Sequence, residues 1–207
     1  MLMTSGSVLM MFFVAAPPAT VTPADLAKRL NDHASVNVPG DQTCWSILSP
    51  ALKAIGDVPD SDPPITVEDV WPGMSDWSEL SSWAASHPEM GTAIEQAAQR
   101  PVFGLPYGRG GVTPEDFEAG LYIDLGGDDR LVPPTFRYLE AIHEMAVWTA
   151  VEAFRLGEAG QGEKAIVLLL DQVMVLRRLA DREFIAGDRF TVADITAFTG
   201  FQIGRVP

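Results

Sequence analysis

Apolar residues recur with a helical period along much of the chain, most clearly over residues 134–182. In residues 134–156 the apolar positions fall on one side and the charged positions mostly on the other, as a half-buried helix requires. In residues 163–182 apolar side chains nearly encircle the helix and leave one narrow polar stripe, which predicts a helix at the centre of the core. The glycine-rich break at 157–162 predicts that the two helices form an αα-hairpin.

Helical spacing and helix-start signals also occur upstream. Thr22-Pro23 and Thr113-Pro114 each offer an N-cap hydroxyl followed by a proline at the first helical position. Stretches rich in proline and glycine separate the periodic segments and predict loops. The predicted helices span residues 22–33, 41–55 with an interruption at Pro50, 76–86, 88–99 and 113–120, and the predicted loops span 57–74 and 103–111. The fold class is therefore predicted to be mainly α, as a helical bundle.

The N-terminal segment is apolar and distinct from the rest. An apolar run at 8–16 precedes Pro17-Pro18, and the first charged residue is Asp25. The run is too short to span a bilayer, and it lacks the basic start of a secretory signal. Three interpretations stay open: a signal or anchor segment without that start, a buried β-strand, or a frayed tail. The first is favoured, so N-terminal membrane association and an envelope-associated or secreted location are expected. The predicted organisation is an apolar segment at 1–20, a loop-rich helical region at 21–125 and a helical bundle at 126–207.

Charge narrows the classes of partner. Fourteen Lys and Arg residues face 28 Asp and Glu residues, which gives a formal net charge of −14. A chain this acidic repels phosphate backbones and anionic lipids, so nucleic-acid binding is excluded. Asp171 and Gln172 would be costly at the middle of a bilayer, so no transmembrane bundle is expected from residues 163–182. Another protein is the class of partner that this charge does not exclude.

Few residues have the spacing that catalysis or metal binding requires. The single cysteine, Cys44, has no activating neighbour in the sequence and is interpreted as a small buried hydrophobe. His33, His87 and His143 do not stand at metal-ligand spacing, and His143-Glu144 lacks the second histidine of a zinc helix. No metal site is predicted, and the catalytic and cofactor-binding residues are unknown.

Two loops and the tryptophans each have a structural and a functional interpretation. Residues 103–111 favour a structural turn, with a ligand-contacting loop built on Phe103, Tyr107 and Arg109 as the alternative. Residues 126–129 offer oxygen atoms to calcium, although not at the spacing of an EF-hand. The tryptophans favour an aromatic core over a partner groove; they are Trp45, Trp71, Trp77, Trp83 and Trp148.

The sharpest local pattern lies at residues 184–198. Thr191 can act as an N-cap, and Asp194 stands where its carboxylate can bond back to the cap, giving a capping box. Phe190 and Ile195 stand at the two positions of a hydrophobic staple around that cap. The pattern predicts a capped C-terminal helix over 191–204.

Residues 179–206 resemble the C-terminal helical domain of the glutathione transferase superfamily. The matching residues are Phe184, Ala186-Gly187-Asp188, Phe190-Thr191 and Ala193-Asp194-Ile195. In that family the motif begins a core helix, so the resemblance implies structural rather than catalytic roles for these residues. It also implies glutathione as a ligand and a cytoplasmic location, with the thioredoxin-like domain that holds glutathione degenerate or missing here. The middle of the chain is similar to uncharacterised envelope-associated helical proteins of bacteria.

These patterns lead to two hypotheses about function. The first is a non-enzymatic helical protein, without a cofactor, that acts through protein contacts. The alternative is a glutathione-transferase-like protein that conjugates or binds glutathione. The two differ in what they expect of the first hundred residues, because glutathione binding in that family needs a four-stranded sheet there.

Overall fold

The chain folds as a bundle of α-helices. The computed structural model describes residues 22–34, 38–59, 64–127 and 135–180. The helices in these ranges are α1 (Pro23–Ala34), α2 (Cys44–Ile55), α3 (Trp77–Ser86), α4 (Glu89–Ala98), α5 (Pro114–Glu118), α6 (Tyr138–Glu158) and α7 (Gly162–Ala180). The predicted fold class, a mainly α bundle with a long hairpin, is confirmed.

Threonine caps begin α1 and α5 where the sequence predicts them. Thr22 Oγ1 accepts a hydrogen bond from the backbone N–H of Asp25 at 3.1 Å. Thr113 Oγ1 accepts one from the backbone N–H of Asp116, also at 3.1 Å. Each bond satisfies an N–H that has no partner within its own helix, which is why both helices start there.

The predicted helix at 41–55 starts later than expected and is not broken by its proline. Gly40–Gln42 forms a 3-10 turn, and α2 begins after Thr43, whose hydroxyl oxygen accepts from the Ser46 N–H at 3.2 Å. Pro50 lies inside α2 at an exposed position, and the helix continues to Ile55. The helix therefore tolerates the missing N–H of proline on its solvent side.

One hydrophobic core joins the upstream and downstream helices. α4 packs against α2 and α7, while α6 packs against α7, α3 and α2. The largest fully buried side chain is Trp148 of α6, and Leu48, Met90, Ile94 and Met145 are buried in the same cluster. The hairpin and the loop-rich half therefore bury their apolar faces against each other.

The αα-hairpin has a short, hydrogen-bonded turn. Gly160 has a φ of 72°, the left-handed conformation that favours glycine. The Gln161 N–H donates to the Leu156 carbonyl at 2.8 Å, and the Gly160 N–H donates to the Gly157 carbonyl at 3.0 Å. These bonds end α6 and reverse the chain into α7.

The position of α7 corrects the sequence interpretation. We expected a helix surrounded by the core because its apolar residues encircle it. Instead its inward side, including Ala165 and Val175, is buried, while six large apolar side chains on the remaining surface are exposed. Apolar composition shows that a helix can be covered on all sides, but it does not show how many neighbours the fold supplies.

Several predictions fall on residues that the structure does not describe. They are the apolar segment at 1–20, the signature at 184–198 and the capped helix at 191–204. Across the described ranges, none of the helices is long and apolar enough to cross a membrane.

Candidate functional site

The loop at 103–111 is mainly a structural element. Phe103 and Tyr107 are buried, so neither side chain is presented to a ligand. The Asn31 side chain clamps the loop: its Nδ2 donates to the Tyr107 carbonyl at 2.9 Å, and its Oδ1 accepts from the Tyr107 N–H at 2.8 Å. Gly104 has a φ of 80°, and a Cβ there would stand 2.3 Å from Thr43 Cβ, so the glycine permits close packing against the start of α2.

Arg109, the exposed member of that loop, is engaged by protein groups. Its Nη2 donates to Asp124 Oδ2 at 2.9 Å, and its guanidinium carbon lies 5.6 Å from the centroid of the Phe117 ring. Phe117 in turn stacks on Tyr122 with ring centroids 5.4 Å apart. The Arg109 hydrogen bonds lower the pKa of Asp124. These contacts join the 103–111 loop to the segment after α5 and favour the structural interpretation of the loop.

The calcium hypothesis gains no support from the described part of 126–129. The Gly126 N–H donates to Asp124 Oδ1 at 2.9 Å. The Asp124 carboxylate therefore accepts hydrogen bonds both from this turn and from Arg109. The two acidic residues at 128 and 129 lie outside the described residues. In the described ranges, no group of three or more His, Cys, Asp or Glu side chains could hold a metal ion.

Cys44 is buried, as predicted. Its side chain is 0% exposed, and its Sγ donates a hydrogen bond to the Ala97 carbonyl at 3.2 Å. Burial raises the pKa of the thiol to about 11, which keeps it protonated near neutral pH. The residue packs at the start of α2 and has no thiolate with which to attack a substrate.

The described histidines hold backbone groups. His87 is the C-cap residue of α3, and its Nδ1–H donates to the Trp83 carbonyl at 2.8 Å. The His143 Nε2–H donates to the Ile65 carbonyl at 3.2 Å and so ties α6 to the loop between α2 and α3. The side chain of His33 lies outside the described residues. Neither ring described is arranged as a metal ligand.

The tryptophans divide between core and surface. Trp45 and Trp148 are buried, and Trp77 and Trp83 are partly buried against the core. Trp71 is 56% exposed. The aromatic-core interpretation therefore holds for four tryptophans and not for Trp71.

A cleft of about 430 Å³ opens between α2, α5 and α6. Acidic side chains dominate its lining: Asp57, Glu115, Glu118, Glu140 and Glu144. Burial, followed by the charges of Asp57 and Glu140, raises the pKa of Glu144 to about 7. A carboxyl group that titrates near neutral pH can move a proton in principle.

Lys53, one of the two cations that line this cleft, is paired with a protein carboxylate. Lys53 Nζ lies 2.7 Å from Asp116 Oδ1, and the Ser49 hydroxyl donates to the same oxygen at 2.7 Å. Although burial opposes it, hydrogen bonds from Lys53, Ser49 and Thr113 lower the pKa of Asp116. The lining described here combines no nucleophile with a base, so it offers a titrating carboxyl but not a catalytic pair.

The most unusual surface is on α7. Six of the ten large hydrophobic side chains that are exposed in the described residues lie on this one helix. They are between 37% and 59% exposed, and we call them the outer face of α7: Ile166, Val167, Leu169, Leu170, Val173 and Met174. The opposite side of α7 packs into the core against α4 and α6.

Charged residues bound this outer face. Glu163 lies in the first turn of α7, and Arg177 lies in the last turn on the same stripe. Between Ile166 and Met174 the apolar surface extends about 12 Å along the helix. The four other exposed hydrophobic side chains are scattered over the described surface: Val67, Trp71, Phe117 and Phe154. A contiguous apolar patch of this kind is typical of an interaction surface.

The sequence pattern contains a signal for this face. Alternating steps of three and four residues place Ile166, Leu170 and Val173 on one stripe, and Val175 lies on the opposite, buried side. A helix with two apolar faces can pack on the core with one of them and on a further partner with the other.

Comparisons with known proteins leave this surface as the main guide to function. No family model matches the chain, and neither the curated proteins nor the solved structures contain a significant match to it.

Proposed function

We propose that this protein acts through contact with another polypeptide chain, and that the outer face of α7 is the contact surface. The observation that carries the proposal is the concentration of six exposed apolar side chains on one helix whose other side is packed in the core. Fully burying a Val, Leu or Ile side chain contributes about 1.5–3 kcal/mol, so covering this face is strongly favourable. Isolated exposed hydrophobic residues need no such explanation, but a contiguous patch does.

A polypeptide fits the charge of the molecule better than a lipid surface does. Helices that lie on membranes carry many Lys and Arg residues on a solvated polar face. The side of α7 opposite the outer face is packed against protein, and the chain has a net charge of −14, which repels anionic lipids. Glu163 and Arg177, at opposite ends of the outer face, are charges that a polypeptide with complementary groups can pair.

The alternative function, binding or conjugation of glutathione, depends on the resemblance of residues 179–206. These residues lie outside the described ranges except for their first two. In the described part of the first hundred residues the chain is helical and contains no strand. Retention of the full chain on immobilised glutathione, with elution by free glutathione, would favour this alternative.

Site-specific photo-crosslinking tests the proposed contact. A photo-crosslinking amino acid replaces Leu170 in the full chain, and the same amino acid replaces Trp71 as a control that is similarly exposed but lies outside α7. We expect irradiation of expressing cells to give protein–protein adducts from position 170 and not from position 71. Mass spectrometry identifies the crosslinked peptides. Lipid adducts at position 170, or no adducts beyond those at position 71, would contradict the proposal.

A further inference from the structure

Apart from Leu169, the outer face of α7 is symmetric about Leu170. Val167 and Val173 stand three residues before and after it, and Ile166 and Met174 stand four residues before and after it. Glu163 and Arg177 stand seven residues away on either side, and they have opposite charge. Each of these four apolar positions is thus matched by an apolar position at the same distance from Leu170, and each of the two end charges by its opposite.

This symmetry makes the stripe complementary to itself when two copies run antiparallel. If the Leu170 side chains of two copies meet, Val167 of one copy faces Val173 of the other, and Glu163 faces Arg177. Such a contact is isologous, because the same surface serves both copies. From the proposed function, on which this inference rests, we infer that the polypeptide bound at the outer face is a second copy of this chain, antiparallel, with the two-fold axis at Leu170.

The spacing of the stripe supports a helix-to-helix contact. Positions 163, 166, 170, 173 and 177 alternate steps of three and four residues, which is the spacing of a coiled-coil seam. Val167 and Met174 lie beside this seam, and with the axis at Leu170 they meet the seam residues Val173 and Ile166 of the other copy. Leu169 lies further to one side and widens the face. An antiparallel arrangement is favoured over a parallel one because a parallel pair would place Glu163 against Glu163 and Arg177 against Arg177.

The predicted interface is short, which limits its strength. Pairing over residues 163–177 extends about 21 Å along each helix. Interfaces of this size lie at the small end of the specific range, so we expect dissociation at micromolar rather than nanomolar concentration. Two copies together carry twice the net charge of −14, which opposes association further at low ionic strength.

Sedimentation equilibrium of the full chain tests the dimer. One copy has a mass of 22.4 kDa, and we expect the mean mass to rise toward twice that value as concentration increases through the micromolar range. Leu170→Glu places two carboxylates at the axis and should raise the dissociation constant by at least about 100-fold. Trp71→Glu, which removes an equally exposed side chain elsewhere, should leave the dissociation constant unchanged.

Charge reversal tests the antiparallel register. Glu163→Arg places like charges together at both ends of the interface and should raise the dissociation constant by about three- to tenfold. Arg177→Glu should have a similar effect. The double variant E163R/R177E restores opposite charges across the axis and should recover the affinity of the original chain. A double variant no tighter than either single variant would overturn the register.

Cysteine crosslinking tests the axis by a second method. Leu170→Cys should form an intermolecular disulfide under mild oxidation, because the two introduced thiols meet at the axis. Val167→Cys alone should not crosslink, but a mixture of Val167→Cys and Val173→Cys chains should. Cys44 does not interfere because it is buried and its thiol has a pKa of about 11.

Failure of this inference can be told apart from failure of the proposed function. A full chain that stays at the mass of one copy overturns the second-copy inference. If it nevertheless crosslinks a different protein from position 170, the proposed function stands. A crosslink from position 170 to residues 181–207 of the same chain would overturn both, because the chain would then cover its own outer face.

Discussion

The indole N–H of Trp148 donates a hydrogen bond to the carbonyl oxygen of Ala84 at 3.1 Å, deep in the core. Trp148 lies in the middle of α6 and Ala84 near the end of α3, and both are 1% exposed. The bond joins the long hairpin to the upstream helices and satisfies the one polar group of the indole ring. It therefore couples the packing of the largest buried side chain to the place where α3 ends.

Trp148→Phe should destabilise the fold by about 2–4 kcal/mol, because it leaves a cavity and removes this hydrogen bond. Urea unfolding should show a lower midpoint at an unchanged slope. Trp71→Phe is the matched control, since Trp71 is 56% exposed, and it should stay within about 0.5 kcal/mol of the original chain. Equal stabilities of the two variants would contradict the assigned role of Trp148.

Gly91 of α4 should show strong coupling to Trp148. A Cβ at position 91 would stand 3.2 Å from the Cη2 atom of Trp148. Alanine favours a helix over glycine by about 1 kcal/mol, but overpacking a core costs about 1–3 kcal/mol, so Gly91→Ala alone should be destabilising.

The coupling can be measured in a double-mutant cycle. In the Trp148→Phe background the smaller ring gives way, and Gly91→Ala should become stabilising because only its helix preference remains. The free energies of unfolding of the four proteins in the cycle give the interaction. If the two substitutions change the free energy of unfolding additively, residues 91 and 148 do not interact.

Asn31 should contribute more to the stability of the fold than its partly exposed position suggests. Its side-chain amide makes both hydrogen bonds to the Tyr107 backbone, at 2.9 Å and 2.8 Å. Asn31→Ala leaves both backbone groups without that partner, so we expect a loss of about 2 kcal/mol and faster hydrogen exchange at the Tyr107 amide. Lys28→Ala, which removes an exposed ion pair with Asp32 in the same helix, should cost no more than about 0.5 kcal/mol. Unchanged exchange at Tyr107 in Asn31→Ala would refute the clamp.

Glu144 should make stability depend on pH in the direction opposite to that of most carboxylates. Burial, then Asp57 and Glu140, raise its pKa from an ordinary value of 4.5 to about 7. The folded state therefore binds more protons than the unfolded state between these values, and stability falls as pH rises from about 4.5 to about 7. Above pH 7 Glu144→Gln should be more stable than the original chain by about 1–3 kcal/mol.

Thermal unfolding at pH 5 and pH 8 measures this effect. The gap between the original chain and Glu144→Gln should be small at pH 5 and widest at pH 8. Glu118→Gln, which removes an exposed carboxyl of the same cleft, is the control for the loss of one negative charge there. A Glu144→Gln protein that is less stable than the original at pH 8 would show that the ionised carboxylate is favourable where it lies.

Local signals predicted the helices well and their surroundings poorly. Thr22 and Thr113 cap the helices predicted for them because capping uses only residues three positions apart. The sequence does not single out Thr43 as a cap, because Asp41, two residues earlier, is an equally good local candidate for a helix start. The short turn at Gly160 followed from glycine spacing, since its left-handed φ is a local property.

The cleft around Glu144 could not be predicted from the sequence. Its acidic lining comes from α5, α6 and Asp57, which follows α2, and these are far apart along the chain. The raised pKa of Glu144 depends on burial and on the nearby Asp57, and neither can be inferred without the packing of α2 against α6.

The sequence by itself determined where most helices begin, that they form a bundle, that Cys44 is buried and that apolar residues nearly encircle α7. These properties depend on the period of the chain and on groups a few residues apart. Only the tertiary structure decided which side of α7 is covered, because coverage depends on how many helices reach it. Here α4 and α6 cover the inward side, and the remaining apolar side is exposed in the described fold. The same apolar pattern that suggested a central helix thus marks an edge helix with a second surface.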